Sequence, residues 1–194
     1  GHPPIDAPNA LGIRYAHYPI VYTAKLALTI AAMIYVLPGY RQFPFGISML
    51  AVDVGVIGGV LWLVLCELNL ESYLVDWLGK DGGIIGLLGL GERSAYNPLD
   101  QLSATPAWAY TFLAIRFIGL ALIVPIIEEF FLRGWLMRFV MGPNWWEIPF
   151  GQANRAAILV GTLFPVLYHP EKLAALAWFS LVTWLMLRTK NIWD

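Results

Sequence analysis

Residues 112–140 read FLAIRFIGLALIVPIIEEFFLRGWLMRFV, an apolar run long enough to lie in lipid. It nevertheless carries two adjacent carboxylates, Glu128 and Glu129, and a guanidinium, Arg133, four residues after the second. A charge at the bilayer centre costs several kcal/mol, so such groups face a protein interior or a water-filled cavity and mark function. This run therefore constrains the fold and points to the place of any chemistry.

The rest of the chain agrees with a membrane setting. Of 194 residues, 59% are hydrophobic and 13% charged, against about 45–50% and about 25% in soluble domains. The net charge of −1 offers no basic surface for nucleic acid. Cys66 is the only cysteine, which excludes an intrachain disulfide and a cysteine-built metal site. Nine Trp and nine Tyr suit the headgroup level of a bilayer.

A span takes about 20 mostly apolar residues. Candidates run from Tyr18 to Leu37, Phe45 to Leu68, Ala107 to Met141, Ala153 to Tyr168, and Leu173 to Leu187. Pro125 removes a backbone donor and is expected to divide the third region into two helices. The connection from Asn69 to Pro106 is too polar to span and has room for a short interfacial helix over 73–90. No internal repeat or low-complexity linker is visible. The fold expected is all-α: a polytopic transmembrane bundle with five or six membrane helices, in one membrane domain over residues 1–194. The sequence ends soon after the last span, and a continuation beyond Asp194 is expected.

Residues four apart on a helix lie one above the other. Glu129 and Arg133 have that spacing and can pair, while Glu128 points about 100° away. Glu128 has no obvious local partner, and a carboxylate in apolar surroundings suits a general base or acid near neutral pH. His169, at the end of the next span, is the histidine able to join it. A Glu/His pair can hold and deprotonate a water, and this chemistry needs neither metal nor cofactor. The alternative for Glu129 and Arg133 is a purely structural ion pair. Arg116 and Asp53, also within spans, are expected to be structural. His2 and His17 lie in a polar leader. Zinc-protease H-E-x-x-H spacing is absent, as are the G-x-S-G and G-x-G-D patterns of other intramembrane proteases.

The run Glu128-Glu129-Phe130-Phe131-Leu132-Arg133-Gly134 resembles the E-E-x-x-x-R motif of the CAAX-protease and bacteriocin-processing family, the Abi or Rce1-like glutamic intramembrane proteases. The run from Phe164 to His169, followed by Pro170 and Glu171, resembles the family's second motif, F-x-x-x-H. Here Pro165 holds the aromatic position and Phe164 lies one residue earlier. The resemblance covers roughly Ala107 to Asp194, the expected catalytic core, and the layout is similar to the exosortase-associated subgroup. It implies an intramembrane endopeptidase, multi-pass in a bacterial plasma membrane, acting on a peptide or membrane-protein substrate among lipid. Glu128 would activate water with help from His169, and Glu129 and Arg133 would organise the site. It also implies a third motif, a His with an Asn or Asp one turn on, in a further helix after Asp194. The competing function is a non-catalytic transporter or protective scaffold. A transporter is expected to show repeats around a midplane site.

Overall fold

A helix satisfies its backbone hydrogen bonds within one segment, which suits it to lipid. A computed structural model describes residues 17–70, 73 and 96–194, and every regular element among them is helical. The elements are α1 (Tyr18–Tyr35), α2 (Leu37–Tyr40), α3 (Met49–Leu68), α4 (Pro98–Gln101), α5 (Pro106–Met141), α6 (Arg155–Tyr168) and α7 (Lys172–Thr189). Apart from Tyr73, the interfacial helix expected over 73–90 lies outside the described residues, as does His2.

Three of the described helices, α1, α3 and α5, are long and apolar enough to cross a membrane. This is fewer than the five or six expected. At about 1.5 Å per residue, the 14 residues of α6 reach only about two thirds of a hydrocarbon core of about 30 Å. The 18 residues of α7 carry Lys172 and Arg188 near their ends. Apolar side chains also cover the outside of α3: Val56, Ile57, Val60 and Leu63 are all exposed. A helix that is apolar all round needs an apolar environment outside as well as inside.

The break expected at Pro125 does not occur. Every residue from Pro106 to Met141 is helical. The turn before the proline, Gly119–Ile123, is wound as a π-helix. Local π winding is one way in which a membrane helix accommodates a residue with no N–H to donate. A second π segment, Phe130–Leu136, begins immediately after Glu129.

By contacts the chain divides into two compact units, which part within α5 between Ile127 and Glu128. In the first, α1 and α4 accompany the N-terminal part of α5. Phe112 is fully buried and meets the rings of Tyr18, Tyr22 and Tyr96 edge-on at 5.7–6.0 Å, a favoured aromatic geometry. Arg116 donates to the Tyr96 carbonyl at 2.7 Å. Its structural partner is thus backbone. Asp53, in the other unit, is exposed on α3.

The second unit holds α3, α6, α7 and the C-terminal part of α5. One cluster of its core joins Leu132, Ala175 and Phe179 with Trp62 and Val166 around them. The other joins Met137, Ala157 and Met186. Small residues let the helices approach, as membrane packing favours: Gly58 of α3 lies under the Trp178 ring, and Gly161 of α6 lies under Met137. Beyond α7 the chain folds back. Asn191 donates to the Gly46 carbonyl at 2.7 Å, and Asp194 accepts from the Ser48 amide at 2.8 Å. These bonds anchor the N-terminus of α3, whose first turn is capped by the Ser48 hydroxyl.

Candidate active site

The two adjacent glutamates of α5 have different partners. Glu129 accepts a hydrogen bond from Arg133 Nη1 at 2.8 Å. Residues four apart are neighbours on one helix face, so the two side chains meet. Arg133 is 1% exposed, the largest fully buried side chain among the described residues. Its guanidinium lies over the Phe179 ring, 5.3 Å from the centroid, a cation–π contact. Its Nη2 donates to Thr183 Oγ1 at 3.4 Å. Its Nε is buried with no hydrogen-bond partner.

Glu128 instead faces His169. Its Oε1 lies 3.6 Å from His169 Nε2, and the two side chains are 21% and 22% exposed. That separation is too long for a direct hydrogen bond. His169 Nε2 is itself buried without a hydrogen-bond partner. A small polar molecule bonded to both groups would satisfy it.

Local sequence explains where His169 stands. Pro170 follows it, and the residue before a proline is pushed out of the α region. His169 accordingly caps α6 in extended conformation, at φ −73° and ψ 142°. Its amide still closes the helix onto the Pro165 carbonyl at 3.1 Å. Lys172 Nζ donates to the carbonyls of Val166 and Leu167, each at 2.9 Å, as cations do at helix C-termini. The rings of Trp62, at 5.9 Å, Phe179, at 5.1 Å, and Tyr168, at 5.0 Å, lie against the imidazole.

Glu128, Glu129, Arg133 and His169, the four residues singled out from sequence, thus converge in one unit. The convergence includes residues that sequence reasoning missed. Phe179 touches both the Arg133 guanidinium and the His169 ring, Trp62 arrives from α3, and Thr183 meets Arg133. A signal was present in α7, where Ala175, Phe179, Thr183 and Met186 form a buried stripe at helical spacing with one hydroxyl in it. Phe164 stands against Phe131 at 6.2 Å and Tyr168 at 5.9 Å. Among the described residues no three His, Cys, Asp or Glu side chains gather as a metal site.

Residues 110–194 match the family described as type II CAAX prenyl endopeptidase, Rce1-like. Over this segment, somewhat under half of the chain, the protein is similar to that family. The segment contains both glutamates, Arg133 and His169, so the family resemblance read from their motifs is supported over the whole C-terminal part of the chain. No curated protein and no solved structure matches the chain. The family is one of proteases, and the apolar helices give the protein a membrane location.

Proposed function

We propose that the protein is a glutamic intramembrane endopeptidase in which Glu128 and His169 activate a water. The reading places it as a multi-pass protein of a bacterial plasma membrane. The observation that carries it is the pair itself: a carboxylate and an imidazole 3.6 Å apart, both partly exposed, with the imidazole Nε2 unpartnered. A general base must lie within hydrogen-bond reach of the proton it takes, and a water beside this pair reaches both.

Glu128 removes a proton from that water as the oxygen adds to the scissile carbonyl carbon. The carbonyl π electrons pass to oxygen, giving a tetrahedral oxyanion. His169 holds the water in position. When the intermediate collapses, the C–N bond breaks and the proton on Glu128 passes to the leaving nitrogen. The products are a carboxylic acid and an amine, and Glu128 is regenerated. No step calls for a metal ion or cofactor. Glu129 and Arg133 neutralise one another and keep the guanidinium away from the base.

The test is peptide cleavage by the protein in lipid vesicles. One probe is a prenylated peptide with a C-terminal CAAX sequence, the substrate type in the family description. The other is an unprenylated transmembrane peptide. Cleavage of either that is lost in Glu128→Gln supports the reading, and the responding probe identifies the substrate class. Equal cleavage by wild type and Glu128→Gln overturns it.

A further inference from the structure

We propose that Thr183 is a positioning residue of this site, a role that rests on the catalytic reading above. Its hydroxyl holds the Arg133 guanidinium on Glu129 and so leaves Glu128 to face His169.

Four hydroxyls within the described helices share one kind of partner. Thr23, Thr111, Ser180 and Thr189 each donate to the carbonyl four residues earlier in their own helix, at 2.6–3.1 Å. That local bond satisfies a hydroxyl in an apolar helix. Thr183 departs from the pattern. Its oxygen accepts from Arg133 Nη2 at 3.4 Å and from the Thr162 hydroxyl at 3.4 Å, so it joins α5, α6 and α7. A hydroxyl oxygen has two lone pairs and can accept both. Thr183 is also 2% exposed, and it and Arg133 are the two fully buried polar residues of the described core. A buried hydroxyl is unfavourable unless bonded.

The consequence follows from the donors of Arg133. A guanidinium carries five N–H donors, and the two neighbouring carboxylates are both candidates for them. Phe179 covers one face of the guanidinium. Thr183, one turn further along α7, fixes its Nη2 edge. With both contacts in place, Nη1 is directed at Glu129. Without the hydroxyl, rotation about the side chain can bring a donor to Glu128, and a base paired with Arg133 no longer takes a proton from water. The helix that contributes no titratable group at the site would thus decide which carboxylate is the base.

The experiment compares wild type with Thr183→Val and Thr183→Ser on whichever peptide the wild type cleaves. Valine keeps the shape and removes the oxygen, and serine keeps the oxygen. Misplaced catalytic geometry costs about tenfold to hundredfold in rate. The expected result is a kcat loss of that size in Thr183→Val, KM within about twofold, and recovery in Thr183→Ser. Wild-type kcat in Thr183→Val, or equal losses in both variants, overturns the proposal. A second measurement does not depend on turnover: the Tm of Thr183→Val, Glu129→Gln and the double variant in detergent. Coupling through Arg133 is expected to leave the double variant no less stable than Glu129→Gln, whereas additive losses overturn the relay. If the wild type cleaves neither probe, the catalytic reading falls, and the positioning role falls with it whatever the Tm values.

Discussion

Arg133 bonds Glu129 at 2.8 Å while Glu128, the adjacent residue, stands 3.6 Å from His169. The difference follows from helix geometry. Consecutive residues diverge by about 100°, so the two neighbouring carboxylates leave the helix in different directions. One is tied within α5, and the other is presented to α6. On the proposed function, this one dipeptide supplies a structural acid and a reactive acid.

The first prediction separates these two roles by stability. Glu129→Gln removes the charge partner of a buried guanidinium. Breaking a buried pair in this way costs about 3–5 kcal/mol, and the lower end applies because 25% of the Glu129 side chain stays exposed. Glu128→Gln leaves Arg133 paired and is expected to change stability by less than about 1 kcal/mol. Thermal unfolding of both variants in detergent measures the contrast. Equal destabilisation would show that the two acids are not divided as described.

The second prediction concerns turnover. General acid–base catalysis contributes about 100- to 10,000-fold. Glu128→Gln is expected to lower kcat by about that range with little change in KM. His169→Ala is expected to lower it by a smaller factor, because Glu128 remains to take the proton. Vesicle cleavage assays with both variants decide the order. A larger loss in His169→Ala would make the histidine the principal base.

The four polar residues were legible because charge in an apolar run is costly and therefore informative. Glu129 and Arg133 were also legible as a pair, since i,i+4 spacing is local. What the local pattern missed was long-range. Trp62 lies far from His169 in sequence, and only the packing of α3 against α7 brings it to the imidazole. Thr183 sits 50 residues from Arg133. The winding of α5 was misread for a different reason. Pro125 argues for a break by its lost donor, but the preceding π turn accommodates it, and no single-residue propensity encodes that adjustment.

The third prediction tests the helix contact that carries Trp62 to the site. A Cβ on Gly58 would meet the Trp178 ring at 2.5 and 2.7 Å, whereas one on Gly59 would meet nothing within 4 Å. The indole is large and rigid, so Gly58→Ala must push α3 and α7 apart. Overpacking of this kind costs about 1–3 kcal/mol. Gly59→Ala gains helix propensity, at most about 1 kcal/mol. The Tm of Gly58→Ala is therefore expected to fall, and that of Gly59→Ala to hold or rise. Equal Tm values would show that the glycine is not needed for the close approach.

The last prediction concerns Pro170. Its ring disfavours helical backbone at the preceding residue, and His169 is extended, at ψ 142°. That conformation turns the imidazole out of α6 toward Glu128. In Pro170→Ala the restriction is gone, and α6 is free to wind through His169, which would swing the ring off the Glu128 side. Stability is expected to change by less than about 1 kcal/mol, because the wild-type backbone remains accessible to alanine. Activity is expected to fall by about tenfold or more, since small displacements of a reacting group are expensive in rate. The opposing influence is packing: the rings of Trp62 and Phe179 lie against the imidazole. The measurement is kcat/KM of Pro170→Ala beside its Tm. Lost activity with an unchanged Tm assigns the placement of His169 to the proline. Wild-type activity assigns it to the two rings, and Trp62→Leu should then produce the loss that Pro170→Ala did not.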